Sequence, residues 1–115
     1  VRDGTNPVAQ GSFSVEAMAF NASGSVEVSL GVRSTASTAA VVDVEIYDSI
    51  GRRVNQQWFD NVPFGAGQNK SFTVKWSPPP GASGRYTVSV GIFEPGAYWG
   101  LLLHWTSRAT TFSLP

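Results

Sequence analysis

A two-residue rhythm of apolar side chains, broken about every ten residues by turn formers, is the feature that most narrows what this chain can fold into. In "SVEVSLGVRS" (25–34), Val26, Val28, Leu30 and Val32 alternate with Glu27, Ser29 and Arg33. Successive side chains of a strand point to opposite faces, so the segment predicts a β-strand with one buried side. The same rhythm runs through "SFSVEAMAF" (12–20), "VVDVEIYD" (41–48), "SFTVKW" (71–76), "RYTVSVGIF" (85–93) and "RATTFSL" (108–114). "RRVNQQWFDNV" reads as the returning arm of a hairpin that turns at Gly51. "NASG", "FGAGQNK" and "SPPPGASG" supply the other breaks, and no segment has the 3.6-residue period of an amphipathic helix. Seven to eight antiparallel strands joined by short turns predict an all-β sandwich, Ig-like or fibronectin III-like.

At 115 residues and 42% hydrophobic, the chain suits one compact domain whose folding hides about two thirds of its unfolded surface. We expect residues 12–115 to form that single sandwich and residues 1–11, "VRDGTNPVAQG", to be a linker or a loose first strand. Eight basic and eight acidic residues cancel, which removes the phosphate attraction that nucleic-acid binding depends on. No apolar run reaches the ~18 residues needed to cross a bilayer, so a membrane partner is not expected. The absence of cysteine excludes disulfides and thiolate metal sites. Abundant Ser, Thr, Gly and Ala, with only 14% charged residues, fit a secreted, extracellular bacterial module. The start at Val1 rather than Met fits a mature or excised piece of something longer.

Catalytic patterns are missing. His104 is the only histidine, no Gly-x-Ser-x-Gly turn accompanies it, and Asp43 and Glu45 lie on a strand face expected to be solvated. An enzyme is therefore not expected. No Asp-x-Asp-x-Asp-Gly loop or HExxH occurs, and Asp3, Asp48, Asp60 and Glu94 leave room for a calcium ion without pointing to one. "GAG" (65–67) does not open a helix after a strand, so neither a phosphate cradle nor a cofactor is indicated.

The aromatic residues say more. Trp76, in phase with Phe72 and Val74, reads as core, and Tyr86 as packing inward or tying down a corner. Trp58 and Phe59 are adjacent and must face opposite ways, with Trp58 on the more polar side. "GIFEPGAYWGLLLHWTS" (91–107) reads as a long connection between the last two strands. Its residues either fold back to cap the core, as expected for three leucines in a row, or leave rings in water. An exposed ring can cover the C–H face of a pyranose, gaining about 25 cal/mol per Å² without any charge. Asn55, Gln56, Gln57, His104 and Glu94 offer hydrogen bonds to sugar hydroxyls nearby. The candidate carbohydrate-binding residues are thus Trp58, Tyr98, Trp99, His104 and Trp105, and zero net charge suits a neutral polysaccharide.

"VEIYDSIGRRVNQQWFDNVPFGAGQNKSFTVKW", followed by "GRYTVSVGIF" and "WGLLLHWTSRATTFSL", resembles the Ig-like accessory modules found beside catalytic domains in secreted bacterial glycoside hydrolases of cellulase type. The likeness runs from Val44 onward. It implies a non-catalytic module that binds a β-glucan or cellulose-type polysaccharide. The alternative it implies is a structural module packing against the catalytic domain of the same parent chain. By position, Trp99, His104 and Trp105 match the aromatic tail of the family, and "EPGA" before Tyr98 lengthens the loop.

Overall fold

The computed structural model describes residues 12–22, 24–95 and 100–115, which form seven strands and no helix. In chain order these are β1 (Phe13–Ala22), β2 (Ser25–Ser34), β3 (Thr38–Tyr47), β4 (Arg53–Phe64), β5 (Asn69–Trp76), β6 (Gly84–Phe93) and β7 (Leu102–Leu114). They make two antiparallel sheets, β1-β2-β5 and β4-β3-β6-β7, stacked as the expected sandwich. Residues 1–11, read as a linker, lie outside the described residues.

The alternating apolar positions meet between the sheets. Val26, Val28, Leu30 and Val32 of β2 share one core with Val42, Val44 and Ile46 of β3 and with Val88, Val90 and Ile92 of β6. One end of this core is closed by an aromatic cluster in which Tyr86 stacks on Phe112 at 5.2 Å and Trp76 meets Tyr86 edge-on at 5.4 Å. Phe13 and Phe64 pack edge-on at 5.7 Å at the other end. Trp76 and Tyr86 are therefore packing residues, as their phase predicted.

A tight hairpin joins β3 to β4. Asp48 Oδ1 accepts from the Ile50 amide at 3.1 Å and the Arg52 amide at 2.9 Å, while its Oδ2 accepts from Arg52 Nε at 2.9 Å. Those bonds to the ionised form hold the half-buried Asp48 carboxyl below its ordinary pKa. Gly51, at φ 86°, takes the left-handed conformation that the turn requires. The turn thereby sets Glu45 opposite Gln56 and Asp43 opposite Trp58.

The stretch 91–107 is not one long connection. Gly91–Phe93 end β6 and Leu102 already begins β7, with Gly91 paired to Trp105 and Ile92 to His104, so only residues 94–101 link the strands. Register shifts after Val88 and Ile92 put extra residues into β7 and scramble the rhythm by which a strand is recognised. Among the three leucines Leu103 is buried while Leu101 and Leu102 are exposed, so the three do not all stay wet. The neck of the connection is stapled: Glu94 N donates to Leu101 O at 2.9 Å, Gly100 N to Glu94 O at 2.8 Å, and Leu101 N to Glu94 Oε1 at 3.2 Å.

Candidate functional site

The outward face of the four-stranded sheet gathers the candidate residues. Pairing across four strands makes one row of Trp58 on β4, Asp43 on β3, Gly91 on β6 and Trp105 on β7. Residues directly opposite in antiparallel strands share a face, so both indoles stand on the same side. Three strand spacings of ~4.8 Å put their backbones roughly 14 Å apart. Trp58 is 48% exposed and Trp105 40% exposed. Gly91 provides the seat for the second ring. A Cβ at Gly91 would fall 2.9 Å from Trp105 Cε3, 3.0 Å from Trp105 Cζ3 and 2.9 Å from Phe93 Cε1, so both rings lean over a backbone that has no side chain.

The centre of the row is polar and buried. Asp43 is 0% exposed and Glu45, two residues along on the same face, is also buried. This corrects the expectation of a solvated acidic face. The physical reason lies in the neighbours: indoles flank the row of Asp43, and Gln56 and Ser89 occupy the row of Glu45. Gln56 Nε2 donates to both acids, to Asp43 Oδ1 at 2.9 Å and to Glu45 Oε2 at 3.1 Å. Tyr47 Oη donates to Glu45 Oε1, and Arg53 Nη1 stands 3.6 Å from Glu45 Oε2. Ser89 Oγ donates to Ser107 O at 2.7 Å, in the gap left by the β7 irregularity.

Asp43 Oδ2 is buried and has no hydrogen-bond donor among the described residues. Burial, and then the bond with Glu45, push the Asp43 carboxyl up to about 7. Burial also opposes ionisation of Glu45, but its bonds with Asp43 and Tyr47 and the Arg53 charge outweigh that and hold it below its ordinary value. The two carboxyls therefore share one proton near neutrality. In that state Asp43 becomes the donor and Glu45 the acceptor. Tyr47, donating to Glu45, is pushed up to about 12.

The structure sorts the other candidates. His104 lies on the opposite face of β7 from Trp105, half-buried, with Nε2 2.7 Å from Thr106 Oγ1 and its pKa lowered by burial. It does not join the two indoles. Asn55 and Gln57 fall opposite Ile46 and Val44, on the other face of β4 from Trp58, so of the three amide side chains in that arm only Gln56 belongs to the site. Glu94 serves the neck of the connection. Tyr98 and Trp99 lie outside the described residues. Among the described residues no group of three or more His, Asp or Glu side chains could hold a metal.

Sequence reasoning passed over Asp43, Glu45 and Gly91. The signal available for the acids was the two in-phase carboxylates of "VVDVEIYD"; the signal for Gly91 was a glycine inside an otherwise strong strand. A cavity of about 490 Å³ lies elsewhere, at the end carrying the β1–β2 turn and residues 77–83, lined by Val26, Pro78, Ala82 and Leu114 among others. It offers no aromatic ring and no charged side chain to orient a sugar, whereas stacking needs only an open, flat face.

The sandwich is similar to the crystal structure of the C-terminal domain of wzt, with a TM-score of 0.66 and 13% identity over 91% of this chain and 74% of that one. It also aligns with part of a β-glucosidase from Kluyveromyces marxianus, at a TM-score of 0.47 and 16% identity over 88% of this chain and 14% of that one. At 13% identity the first likeness establishes a common fold and nothing about ligands, and the second is too loose to bear on either. No protein-family model and no curated protein matches the chain.

Proposed function

We propose that this chain is a non-catalytic carbohydrate-binding module that takes a neutral polysaccharide, β-glucan first, on the outward face of its four-stranded sheet. One observation carries this reading: two half-exposed indoles stand in a single row of a rigid sheet, on either side of a hydrogen-bonding centre. Each ring can cover the apolar face of a sugar, and roughly 14 Å between their backbones calls for an oligosaccharide rather than a single residue. Sites held on strands keep such spacing better than sites on loops. The sequence resemblance to accessory modules of secreted glycoside hydrolases supports the same role, holding a catalytic domain close to its polymer.

Affinity electrophoresis against soluble β-glucans, xylan and mannan, with pull-down on crystalline cellulose, tests this. Retardation by at least one neutral glycan is expected, nearly insensitive to salt because no ion pair drives it. No retardation by any of them, or a steep loss with salt, refutes the proposal. Exposed Leu101 and Leu102, beside Trp105, favour a second reading in which this edge packs against a catalytic domain. Under that reading the chain binds no glycan, and Trp105→Ala loosens the contact between domains.

A further inference from the structure

Gln56 is half-buried, and its amide nitrogen is committed to two acceptors, Asp43 Oδ1 and Glu45 Oε2. Those acids decide which limb of the amide faces inward, because an acceptor-only oxygen turned toward two carboxyl groups would be repelled. The remaining limb, Oε1, accepts no hydrogen bond from a described residue, and it is not among the buried atoms that lack a partner, so it reaches solvent. Gln56 and Trp58 are two residues apart on the same face of β4, about 7 Å along the strand, within reach of one sugar stacked on the indole.

We infer that Gln56 Oε1 accepts a hydroxyl of the sugar stacked on Trp58, and that the Asp43–Glu45 pair is the positioning device that aims it. This rests on the carbohydrate-binding reading above and adds a selection rule. The ligand must bring a donor to that point, so a glycan with a free hydroxyl there binds and one presenting an ionised carboxylate does not. Asp43 and Glu45 touch no ligand themselves, since both are buried; they act through Gln56.

The test is a double-mutant cycle read by affinity electrophoresis, on mixed-linkage β-glucan, xylan, mannan and polygalacturonate. Gln56→Ala is expected to weaken binding of the preferred neutral glycan about five- to tenfold, the worth of one hydrogen bond, and to erase discrimination against polygalacturonate. Asp43→Asn, isosteric with the protonated acid, keeps the acceptor for Gln56 and a donor for Glu45, and should bind within about twofold of the parent. Asp43→Val removes an anchor for Gln56 and the donor for Glu45, and should weaken binding while the variant remains folded by thermal denaturation. That loss should vanish in the Gln56→Ala background, an outcome a purely structural role would not produce. Losses that simply add, or a Gln56→Ala variant that binds as well as the parent, overturn the inference. If Asp43→Val does not fold, the parent's Gln56 side-chain amide signals decide: they must move as Asp43 titrates and stay still in Asp43→Asn. A parent chain that binds none of the neutral glycans refutes the module reading together with this one, whereas a parent that binds with Gln56 indifferent refutes this one alone.

Discussion

Glu27, on the outward face of the three-stranded sheet, lies between Phe20 of β1 and Lys75 of β5; Asp43, on the outward face of the four-stranded sheet, lies between Trp58 and Gly91, with Trp105 beyond. In sequence the two acids look alike, each set between valines in an alternating strand. In the fold Glu27 stays partly wet and pairs with Lys75 at 3.8 Å, an exposed contact worth little. Asp43 is sealed, bonded to Gln56, and pushed up to about 7. Alternation decides which face a residue occupies. Whether that face is wet depends on side chains from the neighbouring strands, and those are fixed only by register.

If the two outward faces have different jobs, the sharpest break between them is truncation of exposed apolar residues on each. Trp58→Ala/Trp105→Ala should reduce glycan affinity more than a hundredfold, since a buried Trp anchor at an interface is commonly worth ~2 kcal/mol or more. Met18→Ala/Phe20→Ala removes side chains exposed to 66% and 45% from β1, on the other sheet, and should leave affinity unchanged. Affinity electrophoresis on the preferred glycan decides; equal losses from both pairs would erase the functional distinction between the faces.

Proton linkage separates the faces next. Asp43 has its pKa raised from 3.8 to about 7 by burial first, so between about pH 4 and 7 the folded chain holds a proton that the unfolded chain has released. The unfolded state then binds fewer protons, and stability falls as pH rises through that window. Glu45, held below 4.5, works the other way and adds stability as pH rises toward 4.5. His104, lowered by burial, also adds stability as pH rises toward 6.5. The parent's loss attributable to Asp43 should be roughly 2 kcal/mol, less than the full shift implies because Glu45 is coupled to it. Chemical denaturation of the parent and of Asp43→Asn from pH 4 to 8 isolates the effect as the difference between the two curves. Parallel curves would mean that burial does not hold the proton on Asp43.

The sandwich was legible because its inner faces obey a local rule. β2 alone, with Val26, Val28, Leu30 and Val32, dictates a strand with one buried side, and the Asp48 turn with Gly51 announces its hairpin. Trp58 was legible for the same reason, since adjacent Trp58 and Phe59 must part, and Phe59 takes the inner side, 4.8 Å from Phe72. The start of β7 was not legible, because its irregular register disguises Leu102–Trp105 as loop. The burial of Asp43 and Glu45 was illegible for a deeper reason. It depends on Trp58 being 15 positions and Trp105 62 positions from Asp43 along the chain and on the same row in space. That His104 does not share a face with Trp105 was illegible too, because parity along β7 is invisible until its ladder is known.

Two glycines make the finest comparison between the faces. Gly31 sits mid-strand on the three-stranded sheet, opposite Glu16 and Ser71, and a Cβ there would meet nothing within 4 Å. Gly91 sits mid-strand on the four-stranded sheet, where a Cβ would come within 2.9 Å of two aromatic rings. Neither takes a positive φ, so alanine is conformationally acceptable at both and only the neighbours differ. At Gly91 the added methyl must push Trp105 and Phe93 off their seat, and overpacking of that kind costs about 1–3 kcal/mol. Gly91→Ala should lower the melting temperature by several degrees and weaken glycan binding several-fold, through a displaced Trp105 visible as a shift in tryptophan fluorescence. Gly31→Ala has only the chain-entropy term, and should stabilise the fold by about 0.5 kcal/mol with no change in binding. Calorimetry and affinity electrophoresis on the two variants read both signs. If Gly91→Ala behaved like Gly31→Ala, Trp105 would not be resting on the sheet, and the row of rings would lose its second platform.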